Sequence, residues 1–130
     1  MLEIRALGAL DIVGDDGVLE AVLAQPKRAA LLAYLATARP RGFHRRDTLL
    51  ALFWPELDEG HARNALSQAL SFLRRELNDA VVVTRGSEEV AVDLERIRCD
   101  VVAFEEAVDS QQWGSARELY RGGVLAGFHV

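Results

Sequence analysis

The sequence predicts an α+β fold in which two β-rich segments enclose a helical middle. Three observations support this prediction: short β-compatible runs broken by turn residues in 2–23, three stretches of helical apolar spacing between 26 and 77, and two valine-rich runs in 81–94. With 130 residues, half of them hydrophobic, the chain can bury a core without disulfides. The single cysteine, Cys99, rules out an internal disulfide framework.

The N-terminal segment 2–23 predicts a small antiparallel sheet. Its apolar runs are short, and Gly14-Asp15-Asp16-Gly17 between two of them is a strong turn signal. We therefore expect about three strands here.

Two helices are predicted next. "PKRAALLAYLATARP" predicts a helix over 26–38, because Pro26 suits the first helical position and the residue before Pro40 avoids the helical region. "GFHRRDTLLALFWPELDEG" predicts a second helix that Trp54-Pro55 ends. Its apolar face consists of Leu49, Leu50, Leu52 and Phe53. Asp58 is a candidate N-cap for the helix that follows.

The stretch "ARNALSQALSFLRREL" predicts a third, amphipathic helix over 62–77. Around Leu66, an apolar stripe forms at helical spacing from Ala62, Ala69, Leu70, Leu73 and Leu77. The opposite face holds amides, hydroxyls and arginines, and no acid: Asn64, Ser67, Gln68, Ser71, Arg74 and Arg75. Such groups can donate hydrogen bonds to phosphates and base edges. A solvated face is the alternative interpretation of the same pattern.

The runs 81–85 and 90–94 predict a β-hairpin around Gly86-Ser87-Glu88-Glu89. A helix pair followed by a hairpin is a winged helix-turn-helix arrangement. Its recognition helix would be 62–77. We thus expect an N-terminal antiparallel sheet, three helices, a C-terminal hairpin wing, and then a short helical pair at about 101–109 and 113–121.

The charge is distributed unevenly along the chain. The net charge is −5, but residues 21–86 carry ten Lys or Arg against six acids, a local net charge of +4. Residues 1–20 have a net charge of −4 and residues 87–130 of −5. Because phosphate binding depends on local potential, the basic middle is compatible with a nucleic-acid partner.

The order of elements and several motifs resemble a known family. Residues 1–98 resemble the OmpR/PhoB-type winged-helix DNA-binding domain of the Streptomyces antibiotic regulatory protein family, through "QPKRAALLAYLA", "HRRDTLLALFWP", "ARNALSQALSFLRREL" and "VVTRG". Residues 99–130, with "CDVVAFEEAV" and "LYRGGVLAGFHV", resemble the start of its helical, TPR-like bacterial transcriptional activator domain. Because two short helices cannot bury both of their faces alone, we expect the chain to be truncated within that second domain.

The resemblance implies a sequence-specific transcriptional regulator, expected to be an activator. Helix 62–77 would lie in the major groove of double-stranded promoter DNA, with hairpin 81–94 as the wing. It also implies a homodimer on direct repeats and an approach to RNA polymerase through the loop 54–60. The residues carried over to the DNA-facing side are Arg63, Asn64, Ser67, Gln68, Ser71, Arg74, Arg75, Arg45, Arg46 and Arg85.

Two positions depart from the family pattern. Phe72 stands where members often carry a basic residue, and the wing tip is Ser87-Glu88-Glu89, where many have Gly-Tyr or basic residues. Phe72 is expected to pack against the fold; contact with a thymine methyl is the alternative. These departures motivate a second hypothesis, a degenerate winged-helix module that docks proteins in a larger signalling protein without binding DNA and exposes an apolar patch around Phe72.

The sequence predicts no enzyme, cofactor or metal site. His44, His61 and His129 lack ligand-spaced partners, and no Gly-rich phosphate loop or Gly-x-Ser-x-Gly motif occurs. No apolar run approaches the ~20 residues that cross a bilayer. No signal peptide is recognisable, so a cytoplasmic protein without a membrane partner is expected.

Overall fold

The computed structural model of the chain describes residues 2–6, 10–14, 17–39 and 41–109. The elements follow in the order β1 (Leu2–Arg5), β2 (Asp11–Gly14), β3 (Gly17–Val18), α1 (Glu20–Leu23), α2 (Pro26–Thr37), β4 (His44–Arg45), α3 (Arg46–Phe53), α4 (Glu59–Glu76), β5 (Val82–Arg85), β6 (Glu89–Val92), β7 (Ile97–Cys99) and α5 (Asp100–Asp109). This is an α+β winged-helix fold, as the sequence predicted.

The first sheet has the strand order β3-β2-β1-β7. β1 pairs antiparallel with β2, with Ile4 opposite Ile12, and both side chains are fully buried. β1 also pairs parallel with β7, which places Ile4 beside Cys99. Alternating inward side chains thus fix the register, since a one-residue slip would turn them outward.

The three helices α2, α3 and α4 form the bundle that carries the core. Leu31, Leu32 and Leu35 of α2 and Leu66 and Leu73 of α4 are at most 2% exposed. They recur at helical spacing, so each helix presents one apolar face to the others. α4 therefore buries one face and leaves the opposite face exposed.

The second sheet, of order β4-β6-β5, contains the hairpin. β5 and β6 pair antiparallel from Val82 opposite Val92 to Arg85 opposite Glu89. Gly86 has φ 62°, the left-handed conformation that glycine supplies at low cost in a tight turn. β4 lies on the other side of β6, with His44 opposite Val90.

α5 packs against the first sheet and the loop after α2. The buried Asp100 carboxylate accepts a hydrogen bond of 2.7 Å from the Ala6 N–H. The Glu105 carboxylate accepts hydrogen bonds from Arg39 at 2.7 Å and Arg41 at 2.6 Å. Residues 100–109 are thus tied to two parts of the winged helix.

Several predicted elements need correction. Residues 20–23 lie within the segment predicted to form strands, but Glu20–Leu23 forms a helical turn in which Val22 is buried. α4 begins at Glu59 because the Asp58 side chain caps it, so the preceding loop ends at Asp58 and not at Gly60. β4 and β7 were not predicted. β7 runs across the predicted domain boundary between 98 and 99.

The predicted helix 101–109 corresponds to α5, whereas the predicted helix 113–121 lies outside the described residues. Within the described ranges, no helix combines the length and apolarity that a membrane span requires.

Candidate nucleic-acid interface

α4 begins with a side-chain cap. The Asp58 Oδ1 accepts a 2.8 Å hydrogen bond from the backbone N–H of His61, and Asp58 Oδ2 lies 2.8 Å from the His61 ring. The hydrogen bond from the His61 backbone N–H and, to a smaller extent, that from the His61 ring lower the pKa of Asp58 below its ordinary value. The carboxylate therefore remains ionised at the positive end of the helix dipole, where a negative charge is favourable.

The outer face of α4 is a polar stripe that contains no acid. Ser67, Ser71 and Arg75 are exposed and succeed one another every four residues, so they share one face. Asn64 and Gln68 are exposed beside them. Between Asn64 and Arg75 the helix contains no Asp or Glu. Five of the six side chains predicted for this face are thus exposed, whereas Arg74 is half-buried; their contact with DNA remains a prediction.

Acidic neighbours hold the arginines at the N-terminal end of this stripe. Arg63 pairs with Glu59 at 3.0 Å and with Asp47 at 3.4 Å, and Arg45 pairs with Asp47 at 3.6 Å. The hydrogen bond to Glu59 and, to a smaller extent, the negative charge of Glu59 raise the pKa of Arg63 above its ordinary value. The predicted phosphate-binding cations are thus partly neutralised here.

The wing arginine is held in a similar way. Arg85 donates two hydrogen bonds of 2.9 Å to Glu89, and its guanidinium lies 4.3 Å from the centroid of the Phe43 ring. The hydrogen bond from Arg85 lowers the pKa of Glu89 below its ordinary value. The wing therefore presents an ordered but charge-paired arginine.

Arg46 and Arg74 are less exposed than the sequence indicated. Arg46 is half-buried, and its backbone N–H donates to the Glu88 carbonyl at 2.8 Å. Arg74 is half-buried, and its Nε lies 3.5 Å from the Val82 carbonyl, the outer limit of a hydrogen bond. Both residues connect the helices to the second sheet.

Phe72 packs into the core, as expected, and is only 9% exposed. Two guanidinium groups lie against its ring, that of Arg28 at 4.8 Å and that of Arg75 at 5.8 Å from the centroid. These distances fall within the range of cation–π attraction. The exposed apolar patch that the docking hypothesis required at Phe72 is therefore absent from this described part of the surface.

Arg28 was not among the predicted site residues. It lies on α2, and with four residues of α4 it lines an open pocket of about 370 Å³: Ser67, Gln68, Ser71 and Arg75. No local motif marks Arg28, because its proximity to α4 arises from helix packing. The signal that the sequence does contain is the surplus of basic residues in 21–86.

No family model matches the chain, and no curated protein matches its sequence. Among solved structures, the chain resembles Mycobacterium tuberculosis EmbR, determined in complex with a low-affinity phosphopeptide, with a TM-score of 0.65 and 24% sequence identity. The alignment covers 95% of this chain and 37% of EmbR, so the chain spans little more than a third of that protein. At this identity the likeness concerns the fold.

Proposed function

We propose that this chain is the DNA-binding part of a sequence-specific transcriptional regulator. The observation that carries the proposal is the acid-free, exposed stripe of α4, which adjoins a hairpin wing in a helix-turn-helix fold. An exposed helix of this kind fits the major groove, where amides and arginines can distinguish base pairs. The similarity in fold to EmbR is compatible with this proposal.

The roles of individual residues follow from their chemistry. Asn64 and Gln68 have amides that can form paired hydrogen bonds with a base edge, Ser67 and Ser71 can donate to either bases or phosphates, and Arg75 can bind guanine or phosphate. The arginines that border this stripe supply phosphate contacts in this proposal: Arg45, Arg46, Arg63, Arg74 and Arg85.

The finer assignments drawn from the family resemblance belong to the same proposal. They are an OmpR/PhoB-type domain whose end we place after Cys99 of β7, an activator domain from 100 onward, a homodimer on direct repeats, and contact with RNA polymerase through the loop after α3. In that loop Leu57 is 40% exposed, and Lys27 pairs with Glu56 at 3.1 Å. Leu57 is an exposed apolar side chain that such a contact would bury.

The second candidate is a winged-helix module that docks proteins without binding DNA. The ion pairs of Arg63 and Arg85 with acidic neighbours favour it, because they reduce the positive potential of the face. It predicts that no duplex is bound in a salt-dependent manner.

A selection from a random duplex library, followed by fluorescence anisotropy on the selected sequence, tests the proposal. The double variant Arg63→Ala, Arg75→Ala should weaken binding at ~100 mM salt and lower the salt slope by about two, because it removes two phosphate-binding cations. The matched control is Arg96→Ala, Arg98→Ala. Arg96 lies in the turn before β7 and pairs with Asp93, and Arg98 is an exposed residue of β7. Their removal should leave DNA affinity unchanged.

Gln68→Ala separates sequence reading from charge. It should reduce the preference for the selected sequence over a scrambled duplex while leaving the salt slope intact. Failure of the selection to enrich any sequence, or equal losses in the double variant and its control, would refute a DNA-reading role for α4 and favour the docking candidate.

A further inference from the structure

The pocket between α2 and α4 differs from the rest of the interface in its charge. Its lining consists of two guanidinium groups, two hydroxyls and one amide, and includes no acid: Arg28, Ser67, Gln68, Ser71 and Arg75. Within the described ranges, neither Arg28 nor Arg75 has a carboxylate within 4.0 Å. Arg45, Arg63 and Arg85, by contrast, all have such a partner.

Phe72 lies against both cations. The Arg28 and Arg75 guanidinium groups lie 4.8 Å and 5.8 Å from the centroid of this one buried ring. A guanidinium held against an aromatic ring keeps the N–H groups at its edge available, and it loses less side-chain entropy when it binds an anion. Two such groups, one from each helix, converge on the same pocket.

The hydroxyls add neutral donors between the cations. Ser67 and Ser71 are one helical turn apart, and Arg75 follows one turn later, so the three donors form a row along α4. Arg28 faces this row from α2. A tetrahedral oxyanion, with several acceptor oxygens, is the ligand that can accept from such a set of donors at once.

We propose that this pocket binds a phosphate group, with Arg28 and Arg75 as its charged donors and Phe72 as their positioning residue. Resting on the proposed function, the phosphate is a phosphodiester of the DNA backbone beside the groove that α4 occupies. α2 then contacts the duplex through Arg28. Phe72 stands where members of the resembled family often carry a basic residue, and it increases phosphate affinity by positioning the two arginines.

The first test measures DNA binding by Arg28→Gln. Affinity should fall roughly tenfold, uniformly across sequences, and the salt slope should decrease by about one. Arg28→Lys should recover the slope but only part of the affinity, because lysine keeps the charge and lacks the stacked, forked geometry. Arg98→Gln, an exposed arginine of β7, is the matched control and should change neither quantity.

The second test uses inorganic phosphate and does not depend on DNA. Phosphate added at constant ionic strength should shift the amide resonances of Ser67 and Ser71 and the Arg28 Nε–H resonance of the wild-type chain in NMR spectra. The amide shifts should disappear in Arg28→Gln and persist in Arg98→Gln.

The two tests separate the two proposals. If the wild type binds DNA but Arg28→Gln behaves like Arg98→Gln, the pocket proposal is overturned and the DNA-binding proposal stands. If the wild type binds no DNA, the proposed function fails; phosphate shifts that require Arg28 then support the pocket as a site for another phosphorylated ligand, and their absence overturns it.

Discussion

At the scale of single residues, His44 combines burial with an unsatisfied ring. It is 8% exposed, its ring lies 5.3 Å from that of Tyr34, and its Nε2 has no hydrogen-bond partner within the described structure. Burial lowers the pKa of His44 below its ordinary value of 6.5. The fold therefore accepts the neutral imidazole and disfavours the imidazolium.

This predicts a loss of stability in mild acid. In the unfolded chain His44 takes up a proton below about pH 6.5, while the folded protein resists it. The free energy of unfolding should thus be unaffected by His44 above this pH and fall as the pH drops from 6.5 toward the lowered pKa. Urea unfolding at pH 7.5 and 5.5 measures the change.

Variants identify the histidine responsible for the pH effect. His44→Phe keeps a ring beside Tyr34 and should flatten the dependence between these two pH values. His61→Gln, which changes an exposed ring, should preserve it. An equal decline in His44→Phe and the wild type would contradict the assignment.

Phe72 illustrates what can be predicted at this scale. Its position at the margin of the apolar stripe predicted packing, and it is buried. Its contact with Arg28 could not be predicted, because the two residues lie 44 positions apart and meet only through the crossing of α2 and α4. The packing of two guanidinium groups against one aromatic ring therefore depends on tertiary structure.

At the scale of elements, α3 and α4 share a charge network at their N-terminal ends. Asp47 of α3 lies 3.4 Å from Arg63 and 3.6 Å from Arg45. A phosphate that binds either arginine must compete with this carboxylate. If this face binds DNA as proposed, we expect Asp47 to lower its affinity.

Removal of that competitor should strengthen DNA binding. We expect Asp47→Asn to raise affinity several-fold at low salt and to increase the salt slope by about one, because a guanidinium becomes available to phosphate. Anisotropy with the selected duplex measures both quantities. Glu95→Gln removes one negative charge from an exposed turn elsewhere and serves as the control. An equal gain in both variants would indicate only a change in overall charge.

Elements were predictable where the sequence has an apolar period or a pair of β-rich runs around a turn. Apolar spacing predicted α2, α3 and α4, and two valine-rich runs around a Gly-containing turn predicted β5 and β6. α1, β4 and β7 contain two to four residues each, too few for an apolar period, and neither valine-rich run contains them. The predicted helix began at residue 62 and so did not include Glu59 as a partner of Arg63, and the contact of Asp47 with Arg63 depends on how α3 and α4 cross.

At the scale of the whole molecule, α5 is joined to the winged helix by charge. Burial raises the pKa of Glu105, but hydrogen bonds from Arg39 and Arg41 outweigh that effect and lower it below the ordinary value. The carboxylate is half-buried and bridges α5 to the loop after α2. These two ion pairs hold α5 in place against the bundle of α2, α3 and α4.

Glu105→Gln should weaken this connection. We expect it to lower the free energy of unfolding by about 1 kcal/mol, because a partly buried network of ion pairs contributes more stability than a single exposed pair. Urea denaturation measures the decrease. Glu95→Gln removes a carboxylate from an exposed turn outside α5 and should have a smaller effect. Identical unfolding curves for the wild type and Glu105→Gln would show that the bridge adds no stability.

The pairing of β1 with β7 has a consequence for how the chain folds during synthesis. Leu2 lies beside Ile97 and Ile4 beside Cys99, so contacts of very high sequence separation complete the first sheet. Such contacts raise contact order and slow folding. One edge of β1 stays unpaired on the ribosome until residue 99 has left the exit tunnel, and during that interval the nascent chain exposes an edge on which another chain could add a strand.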